Sequence, residues 1–320
     1  MNRLPSLVAA LAALASPACS EGGAQVTDDV AITDTDTATA DADAPPPDTG
    51  EPAMVWTTDP DPVPPPALVT FTVRENGLGD RISTALTASL VFFAGPPGHD
   101  VAEDDGVCRL LVRANPFCDP PCGPEERCAP GDVCAPYPYT QTAGVITVDS
   151  DGGTVLEADD HTLGYYYAST NRPVAQTGST VTAHAPGRAF PHFSLTGAMP
   201  PPLVIDGGAE LHLTRGQPLV LSWTPDAPGT RVRVTLATDH GDHGLFLPYI
   251  VACDVPDEAG RVEVPASMAS VIADPESWGC GRCPVQTIER YVRTRATFRG
   301  YDVGLELVRE VDFFYKPSGA

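Results

Sequence analysis

Asp239-His240-Gly241-Asp242-His243 places four donor side chains within five residues. Imidazoles and carboxylates so close together suit a divalent cation. Asp239, His240, Asp242 and His243 therefore form a candidate metal corner, and one reading of the chain is a metal-binding module or metal-dependent hydrolase centred on His240 and His243. The same residues also make an ordinary polar loop between two strands. Cys280-Gly281-Arg282-Cys283 lies beside Trp278. A redox dithiol needs a βαβ setting, and the 37 residues after Cys283 are too few to build one, so structural pairing is expected. Asp149-Ser150-Asp151-Gly152 begins like a calcium loop but lacks the later glutamate, and reads as a hairpin turn. No nucleophile elbow, phosphate loop or dinucleotide fingerprint occurs. Neither a catalytic residue nor a cofactor is expected.

The second candidate surface is near the C-terminus. On an extended segment from Arg290 to Arg299, Tyr291, Arg293, Arg295 and Arg299 share one face, opposite Val292, Ala296 and Phe298. An outward arginine and tyrosine stripe could hold an acidic polysaccharide through charge-assisted bonds and ring contacts. The competing reading comes from the next segment. A two-residue turn at Gly300-Tyr301 sets Arg299 opposite Asp302, Arg295 opposite Glu306 and Tyr291 opposite Glu310. Cross-strand pairs of that kind neutralise the stripe without a ligand.

Nine cysteines give the most specific signal. Cys118, Cys122, Cys128 and Cys134 fall within seventeen residues that also hold four prolines and two glycines. So short a stretch cannot bury a core, and crosslinks must hold it. Zinc is the competing reading, but paired Cys-x-x-Cys knuckles are missing. Interlaced bonds Cys118–Cys128 and Cys122–Cys134 are expected, each contributing roughly 2–3 kcal/mol through loop closure. Counting from a boundary near Ile205, five cysteines (Cys108, Cys118, Cys122, Cys128, Cys134) precede it and three (Cys253, Cys280, Cys283) follow, with Cys19 set apart. Odd against odd requires a disulfide between the two halves if all eight pair, and Cys108 is the expected partner on the first side.

The elements carrying these residues begin with an export signal. Asn2 and Arg3, the apolar run Leu7 to Ala15, and Ser16-Pro17-Ala18 before Cys19 read as a secretory signal too short to span a membrane. The segment resembles a bacterial lipoprotein signal, with Ser16 where leucine is usual; the resemblance implies a lipid on Cys19, and Ser20 behind it implies the outer membrane. Ordinary cleavage after Ala18 is the alternative. Residues 20–66 hold eleven Asp/Glu, nine Pro and no Lys or Arg. They read as a disordered acidic tether reaching on the order of 40 Å or more. The formal charge of −23 argues against nucleic acid as a partner.

Beyond the tether the chain reads as all-β, namely two β-sandwich-like domains (67–205 and 206–320) with a small disulfide-rich insert at 118–134. Runs at Val69 to Arg74, Ala88 to Ala94, Val107 to Arg113, Gly144 to Val148, Leu163 to Ala168, Thr180 to His184 and Phe190 to Leu195 are separated by Gly, Pro and Asp clusters. In the second half, Gly216-Gln217-Pro218-Leu219-Val220-Leu221-Ser222-Trp223-Thr224-Pro225 resembles the second strand, with its core tryptophan, of a fibronectin type III or related immunoglobulin-like sandwich. Leu219, Leu221 and Trp223 share one face. Val232, Val234 and Leu236 share the next, with Arg231 and Arg233 outward. Tyr291 departs from that family, whose corner tyrosine faces inward with the apolar set. The cysteine block with Cys108 before it and Ala135-Pro136-Tyr137-Pro138 after it, together with Cys253-Asp254-Val255-Pro256-Asp257, resembles segments of uncharacterised surface lipoproteins of myxobacteria. That resemblance implies no activity. The expected function is a non-enzymatic, cell-surface scaffold, adhesin or binding module. Its expected contacts are the membrane, through lipid on Cys19, and an unidentified protein or polysaccharide.

Overall fold

A computed structural model describes residues 55–56, 68–78, 81–92, 99–115, 117–129, 132–137, 139–151, 153–162, 164–208, 210–226, 228–237, 249–273, 286–299, 301–311 and 314–317. The chain divides into two compact units, Met1–Thr49 and Gly50–Ala320, and every described residue belongs to the second. Among the described residues, apart from one α-helix, Ala266–Ile272, and a short 3₁₀ turn, the regular elements are strands. The fold is all-β.

One large sheet organises the molecule. Its order from edge to edge is Asp160–Thr162, Tyr165–Thr170, Arg81–Ser89, Leu68–Leu78, Tyr301–Val311, Gln286–Phe298, Arg231–Ala237, Tyr249–Pro256, Cys108–Arg113 and His99–Asp104. Leu68–Leu78 runs parallel to Tyr301–Val311, and the other neighbours in this order are antiparallel. The long hairpin Gln286–Phe298/Tyr301–Val311 lies at the centre.

Alternation along these strands gives the sheet one apolar face, and two separate layers cover it. The first layer is a four-stranded sheet ordered Gly153–Ala158, Ile146–Ser150, Thr180–Ala185 and Phe193–Ala198. Between it and the large sheet lie Phe71, Leu86, Tyr166, Phe190, Phe193, Leu305 and Leu307, all buried. The Phe71 and Phe193 rings meet at 4.4 Å. The second layer combines the pair Leu219–Ser222/Arg261–Val264 with the helix. Leu221, Trp223, Val234, Val251, Val264, Met268 and Ile288 fill that core. Leu219, Leu221 and Trp223 point inward together, and so do Val232, Val234 and Leu236. Trp223 satisfies its ring N–H on the Asp257 carbonyl at 3.0 Å, which allows complete burial of the indole.

The covering layers change over near Ile205, where the sequence places its boundary, but the sheet runs on past it. Leu68–Leu78 pairs with Tyr301–Val311, and Ala296, Val303 and Leu305 from the C-terminal hairpin fill the first core. Two arginines on the core-facing side mark the seam. Arg290 and Arg309 stand opposite each other across the hairpin. Arg290 binds Asp257 at 2.9 Å and donates to the Pro202 and Thr224 carbonyls. Arg309 pairs with Glu75 and donates to the Pro200 and Ala175 carbonyls. The proline-rich crossing at 200–202 is thus held by guanidinium donors, because proline itself has no N–H to offer a neighbouring strand.

Three disulfides are present among the described residues: Cys108–Cys253, Cys118–Cys128 and Cys122–Cys134. The last two interlace in the insert, around the small hairpin Glu126–Ala129/Val133–Pro136. Among the described residues, sulfurs that come close enough to share a metal are those of Cys118, Cys122, Cys128 and Cys134, and both disulfides already engage them. Cys108–Cys253 joins the two halves of the chain across 145 residues, at a position where the two cysteines are direct cross-strand partners.

Candidate functional site

The hairpin closes two residues away from the register expected from sequence. Phe298 pairs with Tyr301, and Arg299 follows Phe298 at φ 48°. Arg293 therefore faces Glu306, and Arg295 faces Gly304. The reason is packing. In this register Tyr301 belongs to a strand, its ring lies 5.0 Å from Phe190, and its hydroxyl accepts from Gln141 at 3.1 Å. A shift of two preserves which face each residue occupies, so Tyr291, Arg293, Arg295 and Glu306 remain on one side.

That side is not an open ligand face. Tyr291 is 1% exposed, Arg293 6% and Glu306 4%, Arg295 is half-buried, and only Arg299, at the turn, is exposed. Arg231 and Arg233, expected to point into solvent, are likewise withdrawn from it. Four guanidiniums meet four carboxylates here. Arg293 binds Glu306 at 2.6 Å, and Arg233 bridges Glu289 and Glu306. Arg74 bridges Glu289 and Glu310 at 2.9 and 2.5 Å. Arg231 binds Asp254 at 2.6 Å, and the Tyr291 hydroxyl donates to the other oxygen of that carboxylate. The Tyr291 ring takes the Arg233 and Arg293 guanidiniums at 4.7 and 5.3 Å from its centre. Glu289 stands directly opposite Glu310, a repulsive pairing that Arg74 relieves by bonding both.

Protonation follows from this closure. Burial pushes the Glu306 carboxyl up, but Arg233 and Arg293 outweigh it and hold the group below the ordinary glutamate value. Burial likewise opposes the charge on Arg233, and Glu289 and Glu306 reverse that, raising its pKa. Burial raises Tyr291, reinforced by the Asp254 charge. Asp254 is raised by burial in spite of its bonds from Tyr291 and Arg231. The cluster thus favours the charged forms of Glu306 and Arg233 and the protonated phenol of Tyr291. It has the composition of a structural brace: every charge has a partner of opposite sign.

Other residues singled out from sequence fall as follows. Asp149 and Asp151 sit at the hairpin Ile146–Ser150/Gly153–Ala158, with Asp151 at φ 46°. Asp149 accepts from Thr154 at 2.7 Å and Asp151 from Ser179 at 2.8 Å, as turn carboxylates do. They line a wide, open recess of about 510 Å³ with Thr180 and Thr182. The motif Asp239, His240, Asp242 and His243, the cysteines Cys19, Cys280 and Cys283, and the tether 20–66 lie outside the described residues.

Sequence reading overlooked several participants. Arg74, Arg233, Glu289 and Asp254 complete the ionic cluster, and the signal for them was the alternation Arg231-Val232-Arg233-Val234, which assigns charges to the same parity on adjacent strands. Also overlooked was the run Tyr165-Tyr166-Tyr167. Its middle ring is buried and hydrogen-bonds the Ala143 N–H at 2.8 Å, while Tyr165 and Tyr167 are each 58% exposed.

No family model matches the chain, and no curated protein matches it. Among solved structures it is similar to the FN1–FN3 domains of chicken CNTN1, at 10% identity and a TM-score of 0.15. The match covers 68% of this chain and 66% of that one, just under two thirds of its length. At that level of superposition the architecture rests on the chain's own strands and disulfides.

Proposed function

We propose that this protein is a non-enzymatic surface lipoprotein, a scaffold, adhesin or binding module held outside the cell by lipid on Cys19 and displayed on the acidic segment 20–66. The observation that carries the reading is the single sheet behind both cores, closed on its far side by a neutralised ion cluster and crosslinked at Cys108–Cys253. Such a body is built for rigidity rather than for hinge motion. Three disulfides suit an oxidising compartment outside the cytoplasm. The sequence likeness to myxobacterial surface lipoproteins points to the same setting. Fractionation of cells expressing Cys19→Ser tests the anchor: the variant is expected in the soluble exported fraction, and its retention in membranes would refute lipidation.

A further inference from the structure

We propose that the sheet face around Tyr165 and Tyr167 binds a neutral polysaccharide; this deepens the binding-module reading and rests on it. The two tyrosines are two residues apart on one strand, so their rings leave the same face about 7 Å apart. Tyr166 between them is locked in the core by its hydroxyl bonds to Ala143 and Thr142, which fixes the strand that presents its neighbours. Beside Tyr165 stands Ser89 and beside Tyr167 stands Thr87, both exposed. The row continues from Thr87 to Thr72 and from Thr72 to Glu306, which its bonds to Arg293 and Arg233 hold in place. Three strand spacings separate Tyr167 from Glu306, about 14 Å of sheet surface whose first three positions are tyrosine and threonine.

The chemistry of this strip selects the ligand. Tyrosine supplies a flat apolar ring with a polar tip at low entropic cost, and serine and threonine supply hydroxyls that both donate and accept. Sugars present the complementary pair, an apolar C–H face and a rim of hydroxyls. Tyr165, Tyr167, Ser169, Ser83, Thr87, Ser89 and Thr72 carry no charge, on a chain of formal charge −23. A polyanion meets long-range repulsion there, since the edge strand paired with the tyrosines carries Asp160 and the exposed Asp159 precedes it. The strip also has no aliphatic side chain larger than Ala85, whereas a protein partner needs a desolvated apolar centre.

Affinity gel electrophoresis of the full chain through hydroxyethyl cellulose or galactomannan, with alginate as the acidic control, tests the assignment. At least one neutral polymer is expected to retard the protein and alginate is not. Tyr165→Ala and Tyr167→Ala should each weaken retardation about fivefold to tenfold, and the double variant should run as in plain gel. Tyr167→Phe should keep most of the effect, since the ring does the stacking. Absence of retardation in both neutral polymers overturns the proposal, and so does equal retardation of the double variant. Capture of cell-envelope material that depends on the tyrosines but survives periodate oxidation of its sugars also overturns it, in favour of a protein partner. Membrane release of Cys19→Ser reads the surface-lipoprotein assignment separately, so the two can fail independently.

Discussion

At the scale of single residues, the charges on the far side of the sheet stabilise the protein only as a set. Glu306 receives Arg293 and Arg233 while almost fully buried, so removing its charge takes the carboxylate from Arg293 and leaves Arg233 with Glu289 alone. Breaking a buried pair from one side costs about 3–5 kcal/mol, and Glu306→Gln should lower the urea midpoint accordingly. The pH dependence has a definite sign. Glu306 has its folded pKa depressed, so its contribution is present above the unfolded value and lost as the pH falls through the lower folded value. Glu306→Gln should therefore lose less stability than the parent between about pH 5 and about pH 3; an equal or steeper loss contradicts the assignment. Sequence alternation revealed which residues share this face. It did not reveal that the face is closed, because burial of a polar stripe depends on neighbours from Arg74, Arg233 and Asp254, far apart in the chain.

Elements show a similar division between what local pattern specifies and what packing decides. The strand runs beginning at Val69, Val107 and Thr180 were legible from apolar alternation and the turn residues between them, and observed strands occupy each. The strand Arg81–Ser89 was largely missed, since its residues are small and polar except at Ile82 and Leu86. Hairpin register was misjudged because Gly300 suggested one turn, while the Tyr301 ring gains more by entering the core beside Phe190. The disulfide insert is the opposite case, legible from cysteine spacing because it has little else to hold it. Its two bonds close loops of 10 and 12 residues, each contributing roughly 3 kcal/mol. Cys118→Ser/Cys128→Ser should open 117–136 to limited proteolysis while leaving the main thermal transition within about 2 °C, because that hairpin pairs only with itself. A large drop in the main transition would mean that the insert supports the cores.

For the whole molecule, two cores on one sheet raise the question of whether they unfold separately. The hairpin Gln286–Phe298/Tyr301–Val311 supplies Leu305 and Leu307 to one core and Ile288 to the other, so melting either core strips residues from a strand shared with its neighbour. Arg290 and Arg309 add bonds across the seam from both sides. Separate domains would show two transitions; a shared sheet should show one. Calorimetry of the oxidised protein is therefore expected to give a single unfolding peak whose calorimetric and van't Hoff enthalpies agree. Cys108–Cys253 closes a loop of 145 residues, the largest among the described disulfides, and its chain-entropy contribution is roughly 5 kcal/mol. Cys108→Ala/Cys253→Ala should lower the midpoint by roughly 10–20 °C while the transition stays single, since the cysteines already lie on paired strands and the sheet survives their removal. If instead the variant resolves into two peaks, the disulfide rather than the shared hairpin couples the two cores. A doublet already present in the oxidised parent would show that the seam at 200–205 divides the molecule energetically.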